Sequence, residues 1–472
     1  MTRPPLPPAF WWLWAGALLS ALATFVWPFA TLYLAARGLS GAEAGRVMSL
    51  FGVGMLLAPL AGALSDRVGR RPVMLGALCG ASAGAAALAF TASRWALAAA
   101  ILAYATCVTG LWPVVQAAVG DVVAPEGRPR AVALLHWANN FGSGVSLLLG
   151  GVLTARGWAV PFLADAGTTL VFAGVVGWRM PETRPEPRQA CVRSTPPSPR
   201  PAAAPSALSL AARASRRVPP SKSGAEPPTP PTASPTASEV VRPEPFDFGL
   251  ASVRPERSEA ESKGEAYAQG RRSDATASRS RRAPSLLRDR PFLTLLALHV
   301  PFAAVFWQFM AAAPLDMTRH GLSTARYGLV LATNSAVIAV LQPVVVRFTP
   351  RLAPWRVLAL AALLLGLGFG GYGLASSAPG YALATAVWTL GEIAYLPTAG
   401  ALVQALAPPS LRGRYAGAYA LAFGLGSVLA PLAGPTVLDR LGSRALWGGC
   451  LATAAAVAAG FALLRPGPGA GR

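Results

Sequence analysis

Charged residues are scarce in this chain, and their scarcity excludes most classes of soluble protein. Only 13% of the 472 residues are Asp, Glu, Lys or Arg, whereas 53% are hydrophobic, and the mean hydropathy is +0.45. A soluble protein of this length would fold into two or three domains with charged surfaces. The composition therefore predicts an all-α polytopic membrane protein that lies in a lipid bilayer.

Cysteine and histidine are also rare, with four and three copies. Three cysteines lie in apolar runs and the fourth in a polar segment, so their spacing matches neither a disulfide framework nor a metal site. The histidines lack partners at the spacing of a metal centre or a catalytic triad, and no phosphate-binding Gly-Lys-Ser/Thr loop occurs. We therefore expect no enzyme activity, no cofactor and no metal.

The net charge of +21 raises the question of nucleic-acid binding. The arginines lie in short loops between apolar runs and in one polar central segment, and no basic stretch is interleaved with aromatic residues. This distribution argues against a nucleic-acid partner.

Twelve apolar runs are present, each long enough for a helix to cross a hydrocarbon core of about 30 Å. The first six cover residues 10–36, 42–64, 72–90, 95–119, 131–154 and 158–179, and the other six cover 291–314, 327–348, 355–375, 381–405, 413–437 and 443–464. The runs predict twelve transmembrane helices in two six-helix halves, residues 1–180 and 286–472. The composition of residues 181–285, which are rich in Pro, Ser, Ala, Arg and Glu, predicts a disordered cytoplasmic linker. This linker is either a solvated tether or a binding segment.

The two halves resemble each other at one constant offset. It pairs Pro59 with Pro343 and Arg67 with Arg351 in one region, and Arg130 with Arg414, Gly142 with Gly426 and Gly150 with Gly434 in another. Two distant regions that share an offset indicate duplicated halves, as in a class of secondary transporters.

A short charged hairpin, residues 62–73, connects the second and third runs. Gly62 lacks a side chain and would let another helix approach closely, and Gly69 permits the backbone to reverse. Asp66 could accept hydrogen bonds from the N-terminus of a neighbouring helix or pair with an adjacent arginine. Those arginines are Arg67, Arg70 and Arg71. The hairpin is either a latch between the halves or a positive-inside loop with a solvated aspartate.

Residues 62–71, Gly-Ala-Leu-Ser-Asp-Arg-Val-Gly-Arg-Arg, resemble the loop 2–3 signature of the major facilitator superfamily. Outside residues 181–285, the whole chain resembles the twelve-helix, bacterial drug-efflux-like branch of that superfamily. The resemblance implies that Gly62 packs on the eleventh helix and that Asp66 faces the start of that helix in the outward-open state. Arg67 and Arg70 would complete a charge network that breaks when the cytoplasmic side opens. The eleventh helix would begin near Arg412 and Arg414.

Two departures from the pattern of drug/proton antiporters are visible. Thr106 stands where the fourth helix of those proteins carries Arg, and Ser146-Leu147 replaces the Gly-Pro of their fifth helix. Residues 391–397 and 411–417 nevertheless resemble multidrug-resistance members, which favours export.

Glu392 is the leading candidate for a proton-binding site, because a carboxylate in the middle of a membrane helix is costly unless it is protonated or paired. Its alternative role is a hydrogen bond to a neighbouring helix. Asp165 is a second titratable candidate or, by preference, an interhelical hydrogen-bonding residue. Further candidates for a cavity lining are Gln116, His136, Asn139, Asn140, Trp27, Tyr33, Trp388 and Tyr395, with His299, Gln308, Asn334 and Gln342 as additional polar groups.

The arginine bias of the short loops predicts that both termini are cytoplasmic. We expect a multi-pass protein of the inner (plasma) membrane that is a monomer. The hypothesis is a secondary transporter that moves a small amphipathic substrate by alternating access, coupled to a proton or another ion, and exports it. The alternatives are uptake of a small nutrient and a transport-dead sensor or scaffold that acts through residues 181–285.

Overall fold

The computed structural model describes residues 5–183 and 286–464 of the chain, and within these ranges the secondary structure is helical, without strands. In the first half, α1 consists of Pro8–Leu22 and Val26–Ala36, and α2 to α6 are Gly41–Val68, Arg70–Phe90, Arg94–Val122, Arg128–Leu153 and Ala159–Arg179. In the second half, α7 consists of Arg290–Phe306, Gln308–Ala311 and Ala313–Arg319, and α8 to α10 are Thr324–Phe348, Pro354–Tyr372 and Ala378–Leu406. The last two helices, α11 (412–441) and α12 (443–463), are continuous except at Gly442, where φ is 83°.

These helices coincide with the twelve predicted runs and confirm the predicted all-α, polytopic fold. Ten segments are long and apolar enough to cross a membrane, when α11 and α12 count as one. The segment α5 falls short of that hydropathy because its middle carries His136, Asn139 and Asn140. The predicted linker lies almost entirely outside the described residues, which stop at 183 and resume at 286.

The first helix of each half is broken, which the continuous apolar runs do not foresee. In α1 the break covers residues 23–25, and in α7 a break occurs at Trp307, at the equivalent position of the repeat. At such a break backbone amides lose their intrahelical partners. Asp165 of α6 accepts hydrogen bonds from the amides of Phe25 (2.9 Å) and Val26 (3.0 Å), so this carboxylate caps the second part of α1.

The hairpin between α2 and α3 is tighter than the sequence indicates. The helix α2 continues to Val68, and Gly69 alone connects it to α3 with a φ of 119°. This positive φ confirms the need for glycine at the reversal. We call the end of the bundle that carries this connection the hairpin end. The opposite end, where α1 leads into α2, is the far end.

The two halves pack tightly toward the far end. A Cβ atom added to Gly45 of α2 would lie 2.0 Å from the carbonyl oxygen of Pro431 in α11, and one added to Gly52 would lie 2.6 Å from the amide nitrogen of Val428. The pair α5 and α8 repeats this arrangement, since a Cβ on Gly328 would lie 2.2 Å from the carbonyl oxygen of Leu147. Glycine is required at these positions for the backbones to approach.

The same helices separate toward the hairpin end. An added Cβ on Gly62 of α2 would meet only Pro113 of α4, at 3.9 Å, and added Cβ atoms on Gly413 and Gly417 of α11 would meet nothing within 4 Å. Hydrogen bonds between the halves lie instead on the far-end side, from Thr31 to the carbonyl of Met310 and from Tyr327 to the carbonyl of Pro28. The described bundle is therefore closed at the far end and open at the hairpin end.

Candidate functional site

A cavity of about 320 Å³ lies between the two halves, beside the breaks of α1 and α7. Because both breaks lie at this level, side chains at and beside them, namely Thr24, Trp27 and Trp307, line a common space. The lining comes from α1, α2, α5, α7, α8, α10 and α11. Its polar members are Thr24, Asn139, Asn140, Ser143, Ser146, Asn334, Ser335 and Glu392.

Glu392 of α10 is the only charged side chain among the described residues that line this cavity. One carboxylate oxygen accepts a hydrogen bond from Asn334 of α8 at 2.7 Å, and the same amide group contacts the Thr389 hydroxyl at 3.0 Å. Within residues 5–183 and 286–464, no Lys, Arg or His lies within ion-pair distance of Glu392. The carboxyl group is therefore available for a proton or a cationic ligand.

Aromatic rings from both halves form the wall of the cavity. The Trp27 ring of α1 lies 5.8 Å from the Trp307 ring of α7, and Trp27 also stacks on Phe51 at 5.7 Å. Phe309 stacks on Trp307 at 5.9 Å. Such a wall provides apolar contact area and negative ring faces for a flat or positively charged ligand.

A second cavity of about 200 Å³ shares Asn140, Ile338, Glu392 and Leu396 with the first. It adds His136 of α5 and Gln342 of α8, which lie closer to the hairpin ends of their helices. The two cavities together indicate a route from Glu392 toward the open end of the bundle.

The structure brings together only some of the predicted lining residues. Glu392, Trp27, Asn139 and Asn140 line the main cavity and His136 the smaller one, whereas Asp165, Gln116, Tyr33, Trp388 and Tyr395 line neither. Tyr33 donates to the carbonyl of Leu88. Trp388 donates to Tyr372 at 2.9 Å, and Tyr395 lies 3.1 Å from a ring nitrogen of His299. Each of these three contacts joins two helices of the same half, the first half for Tyr33 and the second half for Trp388 and Tyr395.

The charged hairpin forms a compact cluster around Arg70, whose side chain is almost buried. Arg70 pairs with Asp66 at 2.5 Å and with Asp121 of α4 at 3.1 Å, and it donates to Ser65 at 2.9 Å. Glu182 accepts a hydrogen bond from the Arg70 amide at 2.8 Å and so caps α3.

The other members of the predicted latch are not joined to this cluster. Arg71 donates to the carbonyl of Gly177. Arg67, Arg412 and Arg414 are exposed, and they form no ion pair within the described ranges. In this conformation Asp66 therefore contacts its own half only.

Asp316 of α7 is a buried acid that the sequence analysis does not identify. Its carboxylate accepts hydrogen bonds from Tyr381 of α10 at 2.7 Å and Trp447 of α12 at 2.9 Å, and its side chain is fully buried. The predicted seventh run ends at residue 314, which places Asp316 in a loop. Its burial among α7, α10 and α12 depends on tertiary contacts that no local pattern reveals.

Comparison with protein families gives one match over most of the chain. The family described as Major Facilitator Superfamily matches residues 13–431. The class C tetracycline resistance protein of Escherichia coli is 39% identical over 124 residues, which are 26% of this chain and 31% of that protein. The gallate transporter of Pseudomonas putida is 31% identical over 152 residues, 31% of this chain and 33% of that protein. The uncharacterized MFS-type transporter YqjV of Bacillus subtilis is 29% identical over 142 residues, 30% of this chain and 33% of that protein. This chain thus matches about a third of the length of each relative.

Solved structures share the fold over nearly the whole chain. The POT family transporter PepTSo has a TM-score of 0.67 at 17% identity, with 98% of each chain covered. The human organic anion transporter MFSD10 has a TM-score of 0.57 at 18% identity and covers 96% of this chain and 100% of its own. At these identities the likeness establishes the fold alone.

Proposed function

The chain belongs to the major facilitator superfamily, a family of membrane carriers rather than enzymes, and we propose that it exports a small amphipathic cation in exchange for protons. Transport would proceed by alternating access across the inner membrane, with both termini in the cytoplasm and the hairpin end facing it. The proposed unit is a monomer in the lipid bilayer.

The observation that carries this proposal is the position of Glu392 in the cavity between the halves. An ionised carboxylate without a cationic partner is costly in such surroundings, so it favours either a bound proton or a bound cation. Because one carboxylate cannot hold both at full occupancy, the two ligands compete. Competition at an alternately exposed site couples their movements in opposite directions.

The remainder of the cavity supports an amphipathic ligand. A volume of about 320 Å³ lies at the lower end of the range of sites for drug-sized molecules. Trp27 and Trp307 offer two indole faces from opposite halves, and Trp is the best aromatic partner for a cation. The relationship to a tetracycline resistance protein favours export over uptake.

The proposed cycle needs a second conformation in which the hairpin end closes. There, Asp66 would turn from its own half to the N-terminus of α11, where a helix dipole and unpaired amides favour a carboxylate. The present exposure of Arg412 and Arg414 and the open space beside Gly413 and Gly417 are compatible with such an approach. The latch therefore remains a proposal about the closed hairpin end.

Proteoliposomes that start with equal concentrations of ethidium, a flat organic cation, inside and outside test this function. With a proton gradient of the correct sign, we expect the wild type to move ethidium against its concentration gradient. Glu392→Gln cannot exchange a proton, so its gradient-driven flux should fall about tenfold or more, as expected for the loss of a charge-assisted contact. The matched control is Glu126→Gln, an exposed loop acid outside both cavities, which should transport like the wild type.

Gradient-independent ethidium flux in the wild type, or intact coupling in Glu392→Gln, would contradict the proposal.

The relationship to a gallate transporter makes uptake of an aromatic acid the alternative. The described cavity lining contains no cationic side chain that would bind a carboxylate, which argues against uptake of an acid. Proton-driven uptake of gallate by the wild type would support this alternative. Flux that survives deletion of residues 184–282 would exclude a scaffold acting through that segment.

A further inference from the structure

Asp439 in the last turn of α11 contacts the first turn of α2, across the boundary between the halves. Its Oδ2 accepts a hydrogen bond from the amide of Ala42 at 2.8 Å. A Cβ atom on Gly41 would lie 2.5 Å from Oδ1 of the same carboxylate. The contact therefore depends on the missing side chain at Gly41 and on the free amide of the residue that follows it.

The amide of Ala42 needs a partner from outside its own helix. The capping box of α2 pairs Ser40 with Glu43, and it leaves the Ala42 amide among the first four donors that have no intrahelical acceptor. The N-terminus of α2 also favours a negative charge. Asp439 supplies both the acceptor and the charge from the other half.

Arg319 at the end of α7 holds Asp439 in place. It pairs with the Asp439 carboxylate and donates to the carbonyl of Leu438 at 2.9 Å. Each carboxylate oxygen thus has one strong donor, Arg319 from its own half and Ala42 from the other. This arrangement positions Asp439 for the contact between the halves.

The helices α2 and α11 are antiparallel neighbours, so each N-terminus lies beside the C-terminal turn of the other. At the far end Asp439 of α11 caps α2, and at the hairpin end Asp66 of α2 lies in the turn that would cap α11. We propose that Asp439 is a positioning residue for transport, the far-end counterpart of the Asp66 latch, which closes the far end while the hairpin end is open. This inference rests on the proposed alternating access.

From this geometry we expect substitutions of Asp439 and Asp66 to shift the ratio of the two conformations in opposite directions. Asp439→Asn loses the charge that attracts Arg319 and the α2 N-terminus, so the far end opens more often. Asp66→Asn removes the contact that would hold the hairpin end closed, whereas in the present conformation Arg70 keeps Asp121 and Ser65 as partners, so the change favours the conformation described here. Each change should shift the ratio of the two conformations about fivefold, which is the lower end of the usual range of allosteric coupling. The double variant should return close to the wild-type ratio.

Electron–electron distance measurements on the full chain in lipid nanodiscs test the proposal. One spin-label pair at Ser93 and Leu374 spans the far end, and one at Ala124 and Leu352 spans the hairpin end. All four sites are exposed. Asp439→Asn should raise the far-end-open population and Asp66→Asn should lower it, while Arg440→Gln, a neighbouring exposed change, should leave it unmoved. Gly41→Val tests the same contact from the other half without a change of charge and should act like Asp439→Asn.

Shifts of Asp439→Asn and Asp66→Asn in the same direction, or no shift in Asp439→Asn and Gly41→Val, would overturn the far-end latch. If the wild type still shows both populations, alternating access stands and only the latch is wrong. If the wild type shows one population at every pH, with and without ethidium, alternating access and the latch are both wrong.

Discussion

At the scale of single residues, Asp165 and Glu392 differ in the number of protein donors around the carboxylate. Asp165 accepts hydrogen bonds from two backbone amides and from Tyr104 and lies 3.4 Å from the Thr169 hydroxyl. Glu392 has one side-chain donor, Asn334, and faces a cavity. A carboxylate whose oxygens are already satisfied stabilises the fold, whereas one with spare capacity can bind a ligand.

Replacement of Asp165 by Asn should therefore reduce stability more than replacement of Glu392 by Gln. Loss of the charged acceptor weakens the bonds to the Phe25 and Val26 amides, and the expected cost is about 2 kcal/mol. Thermal unfolding of the purified proteins, followed by tryptophan fluorescence, compares the two variants directly. An Asp165→Asn protein that is as stable as the wild type but uncoupled from the proton gradient would reverse the assigned roles.

The sequence could predict Glu392 but not its surroundings. A single acid in a long apolar run stands out locally, because its cost must be offset by a function or a partner. Its partner Asn334 was one of several equivalent polar candidates, and nothing local distinguished it. Tyr33, Trp388 and Tyr395 looked equally suited to a cavity, yet their hydrogen bonds within one half depend on how the helices are rotated.

At the scale of helices, the position of each run was predictable because the bilayer fixes the length of an apolar segment. The breaks in α1 and α7 were not, since Thr24 and Gln308 are only single polar residues in long apolar runs and the α1 break is capped by Asp165 from a distant helix. The same holds for the glycines of α2 and α11. The resemblance predicts a close approach of the two helices at Gly62, but only the structure shows that the far-end glycines are in contact and the hairpin-end ones are apart.

Gly417→Leu should block the cycle without disturbing the present conformation. Gly417 lies two turns from Gly424, which packs on Leu56 of α2, so both occupy the face of α11 that faces α2. No atom lies within 4 Å of an added Cβ at Gly417, and a leucine there therefore fits the open hairpin end. It would prevent the approach of α2 that closes this end.

The expected result is normal yield and thermal stability with ethidium flux reduced about tenfold or more, as for a blocked conformational step. Gly174→Leu on α6 is the matched control, because an added Cβ there also meets nothing and α6 is outside the contact between α2 and α11. Equal flux in the two leucine variants would contradict closure at the hairpin end.

At the scale of the whole molecule, the described residues form a transporter fold that is open at one end, with a single charged group in the space between the halves. Duplication gives both halves the same broken first helix, but the acid and the hairpin occur in one half each. The positions equivalent to Asp66 and Glu392 are Pro350 and Val108. The two halves therefore share a fold but differ in their charged residues, so the candidate site is identified by Glu392 and not by the fold alone.

The release of protons on ethidium binding tests the competition at Glu392 most directly. In weakly buffered solution, purified wild-type protein should release up to about one proton for each ethidium bound, by linkage between the two ligands. Ethidium affinity should fall as the pH falls, because protonation removes the charge that the cation needs. Glu392→Gln should bind ethidium weakly and release no protons. Equal affinity at every pH in the wild type, or undiminished proton release in Glu392→Gln, would contradict the account.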